Sequence, residues 1–598
     1  MNALLKQFYY AFLILITCPI FGQAILERGP YLQMGTPTSV VIRWRTSIAT
    51  DSRVQIGFVL GSYLQTYQNP VITNEHEVLI DKLFPDARYY YSIGSSAQVL
   101  EGDASNYFTT YPLTGTERKL RFWITGDCGN NSINQHQVRD RYLQYAGSEF
   151  TDGWLLLGDN AYNSGLINEY DANFFAQYQG NIMKHTVLWP SPGNHDYAND
   201  PVLQRSKQIP YYDLFTLPTE AEAGGVPSHT ESYYSYNIGN IHFISMDSYG
   251  EEEMGYRMYD TLSPQILWLK EDLELNHQTW TVAYWHHPPH TKGSHDSDTE
   301  SELVQIRKNL LRILERYSVD LVLCGHSHSY ERSKLMRGHY DFSDSFSDID
   351  FSRSNSSANY NGTPDSCPYF KSTSKKGEGV VYIVAGSAGQ VGGSTTGFPH
   401  PAMHYSNRSV GGSLILEAEE NRLDLKWLAS DGVVYDSFTM MKNVEKKVSL
   451  NLLYGNSIEL VASWPGTYLW NKKNETSRSI KVSPATDSVY VVQDNFKCLT
   501  DTFKVAVDRV TGLNDPMSYD LTVFPNPSTE TIRIQLPHPD FSKIDLSEIS
   551  GRVISTRYVS NGAMEIAFEL KEFQLGHGLY LIKAWDGKRL WVKKVVIN

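Results

Sequence analysis

Five short apolar runs in this chain each end against a side chain able to bind a metal ion. Leu120 to Thr125 leads into Gly126-Asp127-Cys128-Gly129, and Trp154 to Leu157 leads into Gly158-Asp159-Asn160-Ala161-Tyr162. Thr186 to Trp189 precedes Gly193-Asn194-His195-Asp196. Thr281 to Trp285 runs into His286-His287-Pro288, and Leu321 to Cys324 into Gly325-His326-Ser327-His328. Runs this short, bounded by glycine, read as buried strands. Ile241 to Met246 is another, and between the runs Asn134–Tyr145, Ile167–Gln177, Ser263–Leu275 and Ser301–Tyr317 read as helices. In the last of these, Leu303, Ile306, Leu310, Ile313 and Leu314 form a helical stripe. Such alternation implies an α/β core whose ligand-bearing loops leave the C-terminal ends of the strands. One such loop could be a capped turn; five in one domain point to a site.

The rest of the chain is rich in strands. At 598 residues, length alone suggests about four domains. Residues 25–112 alternate apolar and polar as a β-sandwich does. Leu83-Phe84-Pro85-Asp86-Ala87-Arg88-Tyr89 resembles the corner of a fibronectin type III domain, with Tyr89 as the corner tyrosine and packing against the next domain as its expected role. The α/β core is expected to span 118–440, and Val380–Ala385, Ser413–Glu417, Leu423–Leu428 and Val433–Phe438 add strands to it. A Ser-, Asp- and Asn-rich stretch, Gly338 to Lys376, reads as a surface insertion or a lid over the site. Residues 445–510 resemble an immunoglobulin-like module. The fold expected is multidomain: an N-terminal sandwich, an α/β core flanked by helices, and two C-terminal β-sandwich modules.

Residues 1–22 carry Lys6, the apolar run Phe8–Ile16 and then Gly22-Gln23-Ala24, the pattern of a secretory signal peptide. Phe8–Ile16 is too short to span a bilayer comfortably, and no transmembrane anchor is expected in the mature chain. Cys128, Cys324, Cys367 and Cys498 are too few for a disulfide scaffold, and Cys128 and Cys324 read as buried thiols. With 52 basic against 66 acidic residues, the net charge of −14 argues against a nucleic-acid scaffold.

Ligand chemistry sorts the five loops. A carboxylate has two oxygens and can bridge two ions, which suits Asp159, whose loop also supplies Tyr162. Asp127, Tyr162 and His328 include two anionic ligands once the phenol ionises. A free phenol has a pKa near about 10, so its ionisation needs a strong Lewis acid such as ferric iron. Asn194, His286 and His326 are neutral and suit zinc, manganese or ferrous iron.

Together these loops resemble those of purple acid phosphatases, a branch of the metallophosphoesterases. Other branches carry Asp-x-His in the first loop, where this chain has Asp127-Cys128-Gly129, and lack a tyrosine at the position of Tyr162. The resemblance covers about 25–440. It implies Asp127, Asp159, Tyr162 and His328 around Fe(III), and Asp159, Asn194, His286 and His326 around a divalent ion. His286 is chosen over His287 by a His-x-Pro pattern, which leaves His287 to packing or a supporting hydrogen bond. His195 resembles a histidine over the substrate phosphoryl group, with orientation of Asn194 as its alternative role. His295 lies in a loop where relatives place a second substrate histidine, in a register that stays open. Tyr330-Glu331-Arg332 also matches, with an internal ion pair expected for Glu331 and Arg332. The function implied is hydrolysis of phosphate monoesters by a metal-bound hydroxide, with a phosphodiesterase or nucleotide-specific hydrolase as the alternative.

The last 80 or so residues carry Val523-Phe524-Pro525-Asn526-Pro527-Ser528, Ser550-Gly551-Arg552-Val553, Gly578-Leu579-Tyr580 and Val592-Lys593-Lys594-Val595-Val596. Their order is similar to that of the C-terminal sorting domain of type IX secretion, here placed at 518–598. The resemblance implies the type IX machinery as a partner, passage through the periplasm, and a secreted or cell-surface location in a Gram-negative bacterium of the Bacteroidota type.

Overall fold

The computed structural model describes residues 23–472, 475–508, 520–560, 562–587 and 590–598. The signal-peptide reading falls on residues 1–22, outside the described residues. Two compact units divide the chain, one ending at Val507 and the other beginning at Asp508.

Two seven-stranded sheets make the core of the first unit. One runs, in spatial order, Tyr369–Lys371, Val434–Lys442, Arg422–Ala429, Gly412–Glu419, Leu120–Thr125, Gly153–Leu157 and Leu188–Ser191. The other runs Tyr234–Ile238, Ile241–Ser245, Trp280–Trp285, Leu321–Cys324, Val381–Ala385, Tyr330–Ser333 and Met403–Asn407. The three strands from Leu120 to Ser191 pair in parallel, as do those beginning at Ile241, Trp280, Leu321 and Val381. Every residue of Leu120–Thr125, Gly153–Leu157, Trp280–Trp285 and Leu321–Cys324 is buried. Strands covered on both faces are apolar throughout rather than alternating, which is why these runs stand out in the sequence. The predicted helices form at Ile133–Ala146 and Pro264–Leu275, capped by Ser132 and Ser263. Those from Ile167 and Ser301 each contain a π-helical stretch, Tyr170–Phe175 and Ile306–Leu310.

Residues 26–109 form a six-stranded sheet that packs on this core. Tyr89 Oη accepts the Phe84 N–H at 2.9 Å, the contact expected of a corner tyrosine. Arg28 reaches Asp171 at 2.7 Å, Tyr31 Oη donates to the Leu214 carbonyl at 2.8 Å, and Trp189 Nε1 donates to Tyr111 Oη at 2.9 Å. The packing role expected of this region is present.

The 338–376 stretch is not loose. Tyr369–Lys371 joins the edge of the first sheet, and Lys371 with Lys442 grips the buried Asp320 at 2.6 Å each. Cys367 is disulfide-bonded to Cys498, tying the insertion to the strands that follow residue 446. That pairing was not foreseen, whereas Cys128 and Cys324 are buried free thiols as expected. The expected ion pair at 331–332 is also corrected. Adjacent residues on a strand face opposite ways, so Arg332 pairs with Asp436 at 2.6 Å, while Glu331 accepts from Thr291, Ser329, Gly293 and Lys292.

Residues 447–508 add a four-stranded and a two-stranded sheet around Trp464 and Trp470. The second unit holds a three-stranded sheet from Thr522 and a four-stranded sheet ending at Ile597, sharing a core of Ile532, Ile534, Ile544, Leu546, Phe568, Ile582 and Val595. Among the described residues, no helix is long and apolar enough to cross a membrane.

Candidate metal centre

The five loops meet where the two sheets turn their strand ends toward each other. Three residues directly after a strand-ending glycine, Asp127, Asp159 and His326, take left-handed backbone conformations with φ of 58°, 53° and 65°. Such angles are uncommon for residues other than glycine and cost on the order of 1 kcal/mol each. They aim the side chains back across the strand ends. Gly158, at φ 87°, has no room for a side chain, because a Cβ there would stand 2.6 Å from His286 Nδ1.

Seven side chains fall into two clusters that share one atom. In the first, Tyr162 Oη lies 3.0 Å from both Asp127 Oδ1 and Asp159 Oδ2 and 3.3 Å from His328 Nε2, which is 3.4 Å from Asp127 Oδ1. In the second, His286 Nε2 lies 2.9 Å from Asn194 Oδ1, 3.3 Å from His326 Nδ1 and 3.2 Å from Asp159 Oδ2. His326 Nδ1 is 3.1 Å from Asn194 Oδ1. A tetrahedron with edges of about 3.2 Å has its centre about 2.0 Å from each corner, the length of a bond from zinc to nitrogen or oxygen. These distances are of the length that donor atoms around an ion would have, and the groups here could hold metal ions. Asp159 meets both clusters through Oδ2, and its Oδ1 accepts the His195 N–H at 2.8 Å.

Hydrogen bonds behind the clusters orient the rings. His286 Nδ1 donates to the Leu157 carbonyl at 2.8 Å, which leaves Nε2 with its lone pair facing inward. His328 Nδ1 lies 3.1 Å from the Gln390 carboxamide, whose two ends interchange on rotation, so it too can donate outward. The His326 N–H takes Asp127 Oδ2 at 2.8 Å and turns Oδ1 toward Tyr162. Asn194 Nδ2 donates to Asn199 at 2.8 Å, so Asn199, not His195, orients Asn194.

The electrostatics call for cations. Burial raises the Tyr162 phenol well above its ordinary value, and Asp127 and Asp159 raise it further. Burial opposes a charged His286, yet Asp159 and Asp127 outweigh it and raise the imidazole above its usual range. Asp159 is correspondingly held low by His286 and His195 against its own burial. Burial pushes His326 down to about 4, keeping it a neutral donor. Protons on Tyr162 and His286 thus stand where positive charge is wanted.

The remaining predicted residues line the approach. His195 Nδ1 donates to the Asn163 carbonyl at 2.6 Å, and its ring packs 4.5 Å from Tyr162. His295 stacks on His326, ring centres 3.7 Å apart. His287 bonds Ser248 Oγ at 2.9 Å and packs 4.3 Å from His326, a supporting position.

Comparison with known proteins agrees with this geometry. Residues 120–330 match the calcineurin-like phosphoesterase family, a stretch that contains all nine predicted site residues. Residues 120–330 are a calcineurin-like phosphoesterase domain. Residues 522–598 match the secretion system C-terminal sorting domain, the tail that marks a chain for type IX secretion. Probable purple acid phosphatase 20 of Arabidopsis thaliana is 26% identical over 327 residues, covering 52% of this chain and 70% of that protein. Acid phosphatase type 7 of Danio rerio is 27% identical over 332 residues, covering 50% and 69%. A purple acid phosphatase structure from yellow lupin (Lupinus luteus) seeds aligns with a TM-score of 0.55 at 18% identity, over 69% of this chain and 75% of that one, and shows the shared fold.

Sequence reasoning missed several supports of the phosphoesterase domain. Asp196, wholly buried, accepts from Gly193 at 2.7 Å, Asn160 at 3.1 Å and Tyr170 Oη at 2.5 Å, and so ties two ligand loops together. Burial lifts its carboxyl to about 6. Glu300 contacts both His295 and His326. Asp196 lay within a quoted motif; Asn199, Gln390 and Glu300 carried no local signal.

Proposed function

We propose that this chain is an exported acid phosphatase of the purple acid phosphatase type, hydrolysing phosphate monoesters. The observation that carries the reading is the pair of four-atom clusters meeting at Asp159 Oδ2. Asp127, Asp159, Tyr162 and His328 would hold Fe(III); Asp159, Asn194, His286 and His326 would hold zinc, manganese or ferrous iron. Ions held there would draw charge from the phosphate oxygens and lower the pKa of a bound water. His195, whose Nδ1 donates to Asn163, would in its doubly protonated form offer the Nε2 N–H to a phosphoryl oxygen. His295, whose Nδ1 donates to Glu300, would in its doubly protonated form give the Nε2 proton to the departing oxygen.

The same reading makes residues 25–112 a fibronectin III-like domain, 118–440 the catalytic domain, 445–510 an immunoglobulin-like module and 518–598 the sorting domain. The mature protein would be secreted or held at the surface of a Bacteroidota-type cell. The test compares turnover of p-nitrophenyl phosphate and its bis ester, with metal analysis and a visible spectrum. Faster monoester hydrolysis with a tyrosinate-to-iron band is expected. Preferred diester turnover supports the alternative hydrolase, and folded protein inactive after iron and zinc addition sinks the enzymatic reading.

A further inference from the structure

Glu300 sits at the N-terminal cap of the Ser301–Gln305 helix, beside the divalent half of the centre. Its Oε2 lies 2.9 Å from His295 Nδ1 and 3.3 Å from His326 Nε2. Its Oε1 lies 3.0 Å from His295 Nδ1 and accepts the Asp296 N–H at 2.8 Å. We propose that Glu300 is a positioning residue that holds a proton in place on both histidines through one carboxylate, coupling the divalent site to the substrate side.

The argument is about lone pairs. A neutral imidazole has one donor nitrogen and one acceptor nitrogen, and the hydrogen bond at one decides the other. A carboxylate accepts only, so Glu300 fixes N–H at His326 Nε2 and leaves the lone pair on Nδ1. Nδ1 is the nitrogen that faces Asn194 Oδ1 and His286 Nε2. With the proton on Nδ1 instead, His326 would be lost as a ligand. The same carboxylate holds a proton on His295 Nδ1 and favours the doubly protonated ring, the form in which Nε2 can also donate. The two rings also pack directly on one another, tilted by 33° with centres 3.7 Å apart.

The loop has its own anchor. Asp298 accepts from Ser343 N at 3.1 Å and pairs with Lys292 at 2.9 Å and Arg307 at 3.3 Å, so its path does not rest on Glu300 alone. The inference rests on the two-ion reading above, and the test separates them. Wild type and Glu300→Gln are stripped with chelator and titrated with iron and then zinc, with the tyrosinate band, zinc dissociation constant, kcat, KM and unfolding temperature recorded. Gln is isosteric, but an oxygen kept on the two rings sets its NH2 against the Asp296 N–H, and an oxygen turned to Asp296 faces both rings with a donor. Zinc binding in Glu300→Gln should weaken about 10- to 100-fold, with a fall in kcat and an unchanged iron band. Glu300→Ala should weaken it further. Unchanged zinc affinity, or equal loss of both ions with a lowered unfolding temperature, would overturn the positioning role. Wild-type protein that takes up neither ion would overturn the two-ion reading, and this inference with it.

Discussion

Replacing Gly193 with alanine should cripple the site without unfolding the protein. Gly193 is not in the left-handed region, so the backbone tolerates a side chain; the obstacle is contact. A Cβ there would stand 2.3 Å from both Asp159 N and Asp159 Oδ1, and 3.0 Å from Asp159 Cγ, where ordinary contact begins at 3.4 Å. The Asp159 main chain as well as its carboxylate must therefore shift, and a displacement of about 1 Å can cost about 100-fold in rate. The shift also strains the 2.8 Å bond from His195 N. A 100-fold loss in kcat/KM corresponds to about 2.7 kcal/mol of transition-state stabilisation. Overpacking of this kind costs about 1–3 kcal/mol of stability, which a protein this size survives. The assay is steady-state hydrolysis of an aryl phosphate by wild type and Gly193→Ala, with metal content and thermal unfolding measured alongside. Gly193→Ala with wild-type kcat/KM and full metal content would refute the claim that catalysis depends on where Asp159 Oδ2 stands.

Tyr162→Phe should abolish the visible tyrosinate-to-iron band while zinc binding persists; a band that survives would move the phenolate elsewhere. Asp320→Asn should cost about 3–5 kcal/mol in urea unfolding, because Lys371 and Lys442 would share a neutral partner in the interior. Burial raises the Asp320 carboxyl, but the two lysines outweigh it and hold it below its ordinary value. Its contribution is therefore present above about pH 3.9 and lost as pH falls through the folded pKa, so wild type should lose its advantage over Asp320→Asn in acid. An advantage that does not change with pH contradicts that assignment. Cys367→Ser should lower stability by about 2–4 kcal/mol, since the disulfide spans 131 residues; an unchanged denaturation midpoint in oxidised protein would argue against the bond.

What could be seen in the sequence follows from how each feature is encoded. The core strands were legible because burial on both faces leaves runs such as Trp154-Leu155-Leu156-Leu157 without polar interruption. The residues proposed as ligands stood out because each follows such a run within a few residues. Cys367 and Cys498 were not, since a pair 131 residues apart leaves no spacing pattern. The π-helical stretches at 170–175 and 306–310 keep a helical apolar stripe and so look like ordinary helix. Glu300 and Asn199 act through a single side-chain contact each, which no periodicity records. The orientation of the Asp159 carboxylate depends on the His195 backbone, a partner visible only in three dimensions.

The left-handed angles at positions 127, 159 and 326 set stability against chemistry at the same three residues. Glycine would relax the backbone at each and erase a donor atom in the same step. A library of variants ranked on heat resistance alone would therefore drift toward glycine there and collect sturdy, inert proteins. Only selection on turnover could hold two aspartates and a histidine where the main chain would rather have no side chain at all.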